Sequence, residues 1–280
     1  MDTTKAIIPR ADVGRAPSLK GKVAVVFGAG GEVGGAVARE FAARGADVFL
    51  SGRTKSRVQD VANGISGRGG KAAVAEVDAL DEAKVNGYVD EVARAAGRID
   101  IVFNATGPQP VEYDNATSTR ELPVEKFMVP FTTIVPSQFI TARSAARHLM
   151  RQRAGVLLFL SATISRGQSP NTAAIGSAYG AIESLTRCLA TELGPAGVRV
   201  VCVRSMGMAE TRTMQQTYGL GGQAMGVPVE KMRALIASSA LLRRSPSVAE
   251  TAALLAFLAS DEAAAITGAI VNSSCGQVLD

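Results

Sequence analysis

With 280 residues, 47% of them apolar and 20% charged, the chain can bury the core of one large domain or two small ones. No apolar run approaches the roughly 18 residues of a membrane span. The net charge of +5 is scattered, with no basic run and few aromatics between the cations. That pattern excludes a nucleic-acid surface and suits a phosphorylated ligand. Cys188, Cys202 and Cys275 are odd in number and widely separated, so neither a metal site nor a disulfide is read from them. A reducing cytoplasm is expected.

Residues 1–18 lack the long apolar centre of a signal peptide and read as a loose arm. A single domain is expected over 19–280, because no linker-like Pro/Gly/Ser tract interrupts the pattern after residue 22. Val23 to Phe27 is a β-branched apolar run, suited to a strand buried on both faces. It runs into Gly28-Ala29-Gly30-Gly31-Glu32-Val33-Gly34-Gly35. Val33, Val37, Phe41 and Ala42 then recur at helical spacing, with Arg39, Glu40 and Arg44 opposite. Gly45 closes that helix, and Asp47 to Ser51 reads as a second strand.

Glycines in such a turn let the backbone approach a pyrophosphate, whose charge is met by free N–H groups at the helix start. The cradle expected here is Gly28, Gly30, Gly31, Glu32, Val33 and Gly34. The alternative is a glycine-rich turn that only packs helix on strand. A site preferring NAD usually ends its second strand on a carboxylate that binds the ribose diol. Here the strand ends Leu50-Ser51-Gly52-Arg53-Thr54-Lys55, with two cations and no acid. NADP is therefore expected, its 2′-phosphate neutralised by Arg53 and Lys55, with Ser51, Arg53 and Thr54 among the cofactor contacts; a solvated basic turn is the alternative.

Further along, a helix is read over 54–66, a strand over 71–77 ending at Asp78, and a helix over 83–96. A fourth strand covers 99–103 and stops at Asn104-Ala105-Thr106-Gly107. Residues 108–123 read as irregular, and 131–152 as a long helix carrying the sole histidine, His148, expected to be structural. A fifth strand over 156–160 leads to a loop rich in Ser, Thr and Gly over 161–176. A helix over 177–193 and a strand over 198–203 follow, then a mobile-looking loop at 217–230 within a substrate segment near 205–235. A helix over 247–259 and a short strand over 269–271 end the series. Strand–helix alternation repeated this often predicts an α/β fold, a single-domain doubly wound parallel sheet of Rossmann type with helices on both faces.

On these segments the chain resembles the short-chain dehydrogenase/reductase family, from about Leu19 to Leu279. GAGGEVG is similar to the family's glycine motif, with Glu32 where the commoner form has glycine. Asp78-Ala79 matches the position that contacts adenine, and Asn104-Ala105-Thr106-Gly107 the NNAG tetrapeptide. LTRCLATELGPAGVRVVCV and LLAFLASDEAAAITGAIVN match the later signatures. The resemblance implies a nicotinamide cofactor touching Asp78, Ala79, Asn104, Ala105, Tyr179 and Thr211, and a homo-oligomer, dimer or tetramer, acting on a small molecule.

The family's catalytic residues do not carry over. Alignment on Leu185-Thr186-Arg187 leaves Ala162 at the Ser position, Ile175 at the Tyr position and Tyr179 at the Lys position. Ile134-Val135-Pro136 lies at the Asn position. Replacement acids are sought in Tyr179, Ser161 and Thr163, then Ser165 and Tyr113. Two readings stay open: an NADP-dependent oxidoreductase reducing a small to medium apolar carbonyl, imine or conjugated alkene, or a dinucleotide-binding protein without redox turnover.

Overall fold

The computed structural model describes residues 18–167 and 169–279; apart from Ser18, the expected arm lies outside the described residues. Seven strands form one sheet in the order β3-β2-β1-β4-β5-β6-β7. They are β1 (Val23–Phe27), β2 (Asp47–Gly52), β3 (Ala72–Glu76), β4 (Ile101–Asn104), β5 (Gly155–Ala162), β6 (Val198–Ser205) and β7 (Ile270–Ser273). Every pairing is parallel. The helices are α1 (Glu32–Ala43), α2 (Lys55–Ser66), α3 (Glu82–Ala96) and α4 (Val124–Gln152), then α5 (Ala173–Leu193), α6 (Arg212–Met225), α7 (Val229–Ser238) and α8 (Val248–Ala259). The doubly wound α/β fold is as expected.

Strand periodicity splits the core in two. Ala24 and Val26 of β1 pack with Val37 and Phe41 of α1 and Leu255 of α8. Val23, Val25 and Phe27 face the other way, onto Val85 and Val89 of α3 and Ala142 and Leu149 of α4. Successive side chains of a strand point to opposite faces, so a sheet covered on both sides needs unbroken apolar runs. Phe27 and Phe41 are fully buried, and burial of each contributes on the order of 2–3 kcal/mol. The chain winds outward through β1, β2 and β3, then restarts at β4 on the other side of β1. The crevice at that reversal, beyond the strands' C-terminal ends, is where a ligand has room.

Two expectations are corrected. α4 begins at Val124, seven residues before the expected start at 131, and it carries Pro130 and Pro136 inside it. A proline forgoes one helical hydrogen bond and clashes with the preceding turn, at about 3 kcal/mol, so Pro130 reads as a boundary. Here Pro130 is buried, and Phe127 and Val129 pack on the core before it, so tertiary contact overrides the local cost. The segment 217–230, expected as a loop, is the end of α6, a three-residue connection at 226–228 and the start of α7. Its glycines permit contact between helices. A Cβ on Gly221 would lie 2.7 Å from Met232 Cε, and one on Gly222 2.8 Å from the Val227 carbonyl.

Candidate active site

At the end of β1 the chain turns on Gly28, whose φ of +68° favours glycine. A Cβ there would come within 3.0 Å of the Ala105–Thr106 backbone, so the turn after β4 closes directly on the turn after β1. Gly34 is needed for the same reason, since its Cβ would strike the Gly28 carbonyl oxygen. Gly31 caps α1 without a side-chain hydrogen bond. The N–H groups of Glu32, Val33 and Gly34 find no backbone acceptor, as the first turn of a helix leaves them. Bare donors at a helix start, with no side chain over them, fit a dinucleotide's pyrophosphate.

These residues open into a cavity of about 420 Å³. It is lined by Gly31, Glu32, Val33 and Gly34 of the turn after β1, and by Asn104, Ala105 and Tyr113 at and after the end of β4. Ser161, Ala162, Thr163, Ile175 and Tyr179 form its floor, and Thr211 with α6 and α7 its far wall. Glu32 is the one charged side chain among the described lining residues. Five methionines also line it: Met206, Met208, Met214, Met225 and Met232. Their clustering within 27 residues of chain was visible in the sequence and went unused.

The cavity brings Tyr179, Ser161 and Thr163 together, with Ala162 and Ile175 where the resemblance expected Ser and Tyr. Both hydroxyls beside Ala162 are spent. Ser161 Oγ donates to Glu183 Oε1 at 2.9 Å, and Thr163 Oγ1 donates to Gln277 Oε1 at 2.6 Å. Gln277 passes the chain on, its amide donating to Ser239 Oγ at the end of α7. Glu183 also accepts from Ser165 Oγ at 2.6 Å and from Arg204 at 2.8 and 2.7 Å. Burial alone would raise the Glu183 carboxyl, but the hydrogen bonds from Arg204, Ser165 and Ser161 outweigh it and hold the group ionised. Burial pushes the Tyr179 phenol up to about 12, with the Cys202 thiol adding a smaller push. Tyr113 is raised as well, by burial first and then by Tyr179 and Glu112.

The Asn104 side chain is committed to the fold. Its Nδ2 donates to the Ser137 carbonyl and to Thr141 Oγ1, and its Oδ1 accepts from Thr106 N–H. It therefore shapes the turn that carries Ala105. Thr211 caps α6, accepting from Met214 N–H at 3.3 Å. His148 lies between α4 and α3, its Nε2 2.6 Å from Asp90 Oδ1, and takes no part in the cavity.

The remaining predicted residues gather outside the cavity, at the ends of β1, β2 and β3. Gly30 approaches α2 so closely that its Cβ would lie 3.0 Å from Arg57 Cβ. Arg53 and Thr54 are exposed. Ser51 is fully buried with an unpartnered Oγ, beneath the turn. Asp78 accepts from Leu80 N–H at 3.0 Å, and Ala79 is buried. Arg57 was missed in the sequence, although it follows Arg53 by about one helical turn. Neither arginine forms an ion pair among the described residues. Among those residues, no three His, Cys, Asp or Glu side chains converge as a metal site, and no helix is long and apolar enough to cross a membrane.

A parallel sheet, a glycine turn at the switch point and a cavity beside it define a dinucleotide-binding enzyme fold. The chain belongs to the short-chain dehydrogenase/reductase family: residues 28–277 match its model described as Enoyl-(Acyl carrier protein) reductase. An uncharacterized oxidoreductase of Methylorubrum extorquens is 30% identical over 259 residues, covering 92% of this chain and 98% of that protein. A probable 2,4-dienoyl-CoA reductase of Bacillus subtilis is 27% identical over 269 residues, covering 94% and 98%. Among solved structures, an NAD+-bound xylitol dehydrogenase superposes with a TM-score of 0.85 at 26% identity, covering 92% of this chain and 99% of that one. The chain is an oxidoreductase of this family, using a nicotinamide dinucleotide and a small-molecule substrate.

Proposed function

We propose that the protein is a cytoplasmic, homo-oligomeric, NADP-dependent oxidoreductase with a rearranged active site. Its substrate is a small to medium apolar carbonyl, imine or conjugated alkene. The observation that carries this reading is the cavity, with bare N–H groups of α1 at one end and a neutral, thioether-rich wall at the other. A wall without cations offers nothing to a carboxylate or phosphate, whereas methionines adapt to irregular apolar groups.

The cofactor, when bound, supplies the hydride. This chain's part is to hold it and shape the space around it. The N–H groups of Glu32, Val33 and Gly34 meet the pyrophosphate, and Arg53 with Arg57 meets the 2′-phosphate. Ala105 and Thr211 border the nicotinamide end, and Tyr179 holds the nicotinamide ribose in place of the family's lysine. Asp78 and Ala79 flank the adenine. α6 and α7 keep water from the reacting carbon.

The test is to titrate NADPH and NADH into wild type and Arg53→Ala, then to follow NADPH absorbance against ketones, imines and enones. NADPH should bind more tightly than NADH. The substitution should weaken NADPH by roughly 1.5–3 kcal/mol, the worth of a charge-assisted contact. Equal wild-type affinities would sink the NADP assignment. Tight NADPH binding with no turnover on any substrate would favour a binding role instead.

A further inference from the structure

The cavity's hydroxyls fall into two classes. Ser161, Thr163, Thr172, Ser205, Thr211 and Thr217 each donate their proton to a partner inside the protein. Among the described residues, the phenols of Tyr113 and Tyr179 make no such bond. Thr106, Ser169 and Thr213 also keep their protons, but an aliphatic alcohol is a far weaker acid than a phenol.

The two phenols reach the cavity from different elements. Tyr179 lies one turn beyond Ile175 on α5, and Tyr113 ends the 3-10 turn Pro110–Tyr113 that follows β4. Each phenolate would raise its neighbour's pKa only if the rings stood near one another, and Tyr179 does act on Tyr113 in this way. Tyr113 is anchored, being almost fully buried against the α4–α5 layer. The turn that carries Tyr113 packs on α4 and on α6, the helix that brings Met214 and Met225 to the cavity.

We propose that Tyr113 is the catalytic acid, its phenol contacting the substrate oxygen while Tyr179 serves the cofactor. This assignment rests on the redox reading above. For a carbonyl substrate, reduced nicotinamide dinucleotide gives the hydride to carbon and the C=O π bond opens onto oxygen. The Tyr113 O–H bond breaks as an O–H bond forms on that oxygen, and a solvent proton restores the phenol. Burial makes the Tyr113 phenolate more basic than an ordinary one, but the alkoxide that hydride transfer creates is a stronger base still and takes the proton without a lysine.

The experiment compares Tyr113→Phe, Tyr179→Phe and Tyr88→Phe by three readouts. Tyr88 is a buried phenol without a partner and lies outside the cavity, so its variant controls for loss of a phenol as such. The readouts are kcat, NADPH affinity by fluorescence, and calorimetric binding of N,N-dimethylbenzamide, an unreactive apolar carbonyl compound, without cofactor. Tyr113→Phe should lower kcat on the order of 100-fold or more and weaken the amide several-fold. NADPH affinity should stay within about twofold, within reach of a neutral hydrogen bond's lower limit. Tyr113→Phe with unchanged amide binding overturns the contact whether or not the wild type turns over. An active wild type whose kcat survives Tyr113→Phe but collapses in Tyr179→Phe moves the acid to Tyr179. A wild type inactive on every substrate overturns the redox reading separately.

Discussion

Glu183 shows at the residue scale how this active site was rebuilt. It sits one turn after Tyr179 and pairs with Arg204 deep between α5 and β6. Truncating it removes the buried acceptor of four hydrogen bonds, from Ser161, Ser165 and Arg204, so Glu183→Ala should cost about 3–5 kcal/mol in urea denaturation. The pH dependence has a definite sign. A carboxylate whose folded pKa is depressed contributes stability above its ordinary pKa and loses it as pH falls through the folded value. Wild type should therefore weaken below about pH 4.5, its unfolded value, more steeply than Glu183→Gln. None of this pairing was visible in the sequence, because Glu183 and Arg204 stand 21 residues apart on different elements. The absence of Ser, Tyr and Lys, by contrast, is an expectation of the sequence alone, resting on the register of the LTR motif that leaves Ala162, Ile175 and Tyr179 at those positions.

At the scale of elements, one contact ties the cofactor turn to the substrate wall. Glu32 Oε1 accepts from Arg212 N–H at 3.3 Å, at the first turn of α6. A carboxylate there also complements the positive end of the helix. Glu32→Ala should loosen α6 and α7, raising KM several-fold with a smaller change in kcat and faster amide exchange over 212–238. Glu32→Gln keeps an acceptor and should recover most of the KM. Exchange unchanged in Glu32→Ala would remove the tie from the account. The elements differ in how far the sequence exposed them. β1 and α1 were clear because an unbroken apolar run meets a 3.6-residue period. α6 and α7 were hidden because Gly219, Gly221, Gly222 and Gly226 dilute that period, and two of them are buried only once the helices pack together. The start of α4 was hidden by Pro130, a local signal that packing overrules.

For the molecule as a whole, α4 presents Met128, Phe139 and Met150 to solvent. Successive members are 11 residues apart, which returns to nearly the same side of a helix at 3.6 residues per turn. An apolar stripe along the longest helix is suited to a two-fold contact with a second copy. Phe139→Lys should shift the particle toward monomer in light scattering, with circular dichroism unchanged. A wild type already monomeric at micromolar concentration would refute the oligomer.

The methionine-rich wall of the cavity is drawn from one stretch of chain, from Met206 through α6 and α7 to Ile236. It enters and leaves the sheet between β6 and α8 without contributing a strand. The frame that grips the cofactor and the panel that meets the substrate are thus separable in inheritance. Recombination at two points beyond Arg212, or a synthetic graft between them, could re-address the enzyme to another molecule while the glycine turn, Thr211 and the Glu32–Arg212 tie are kept.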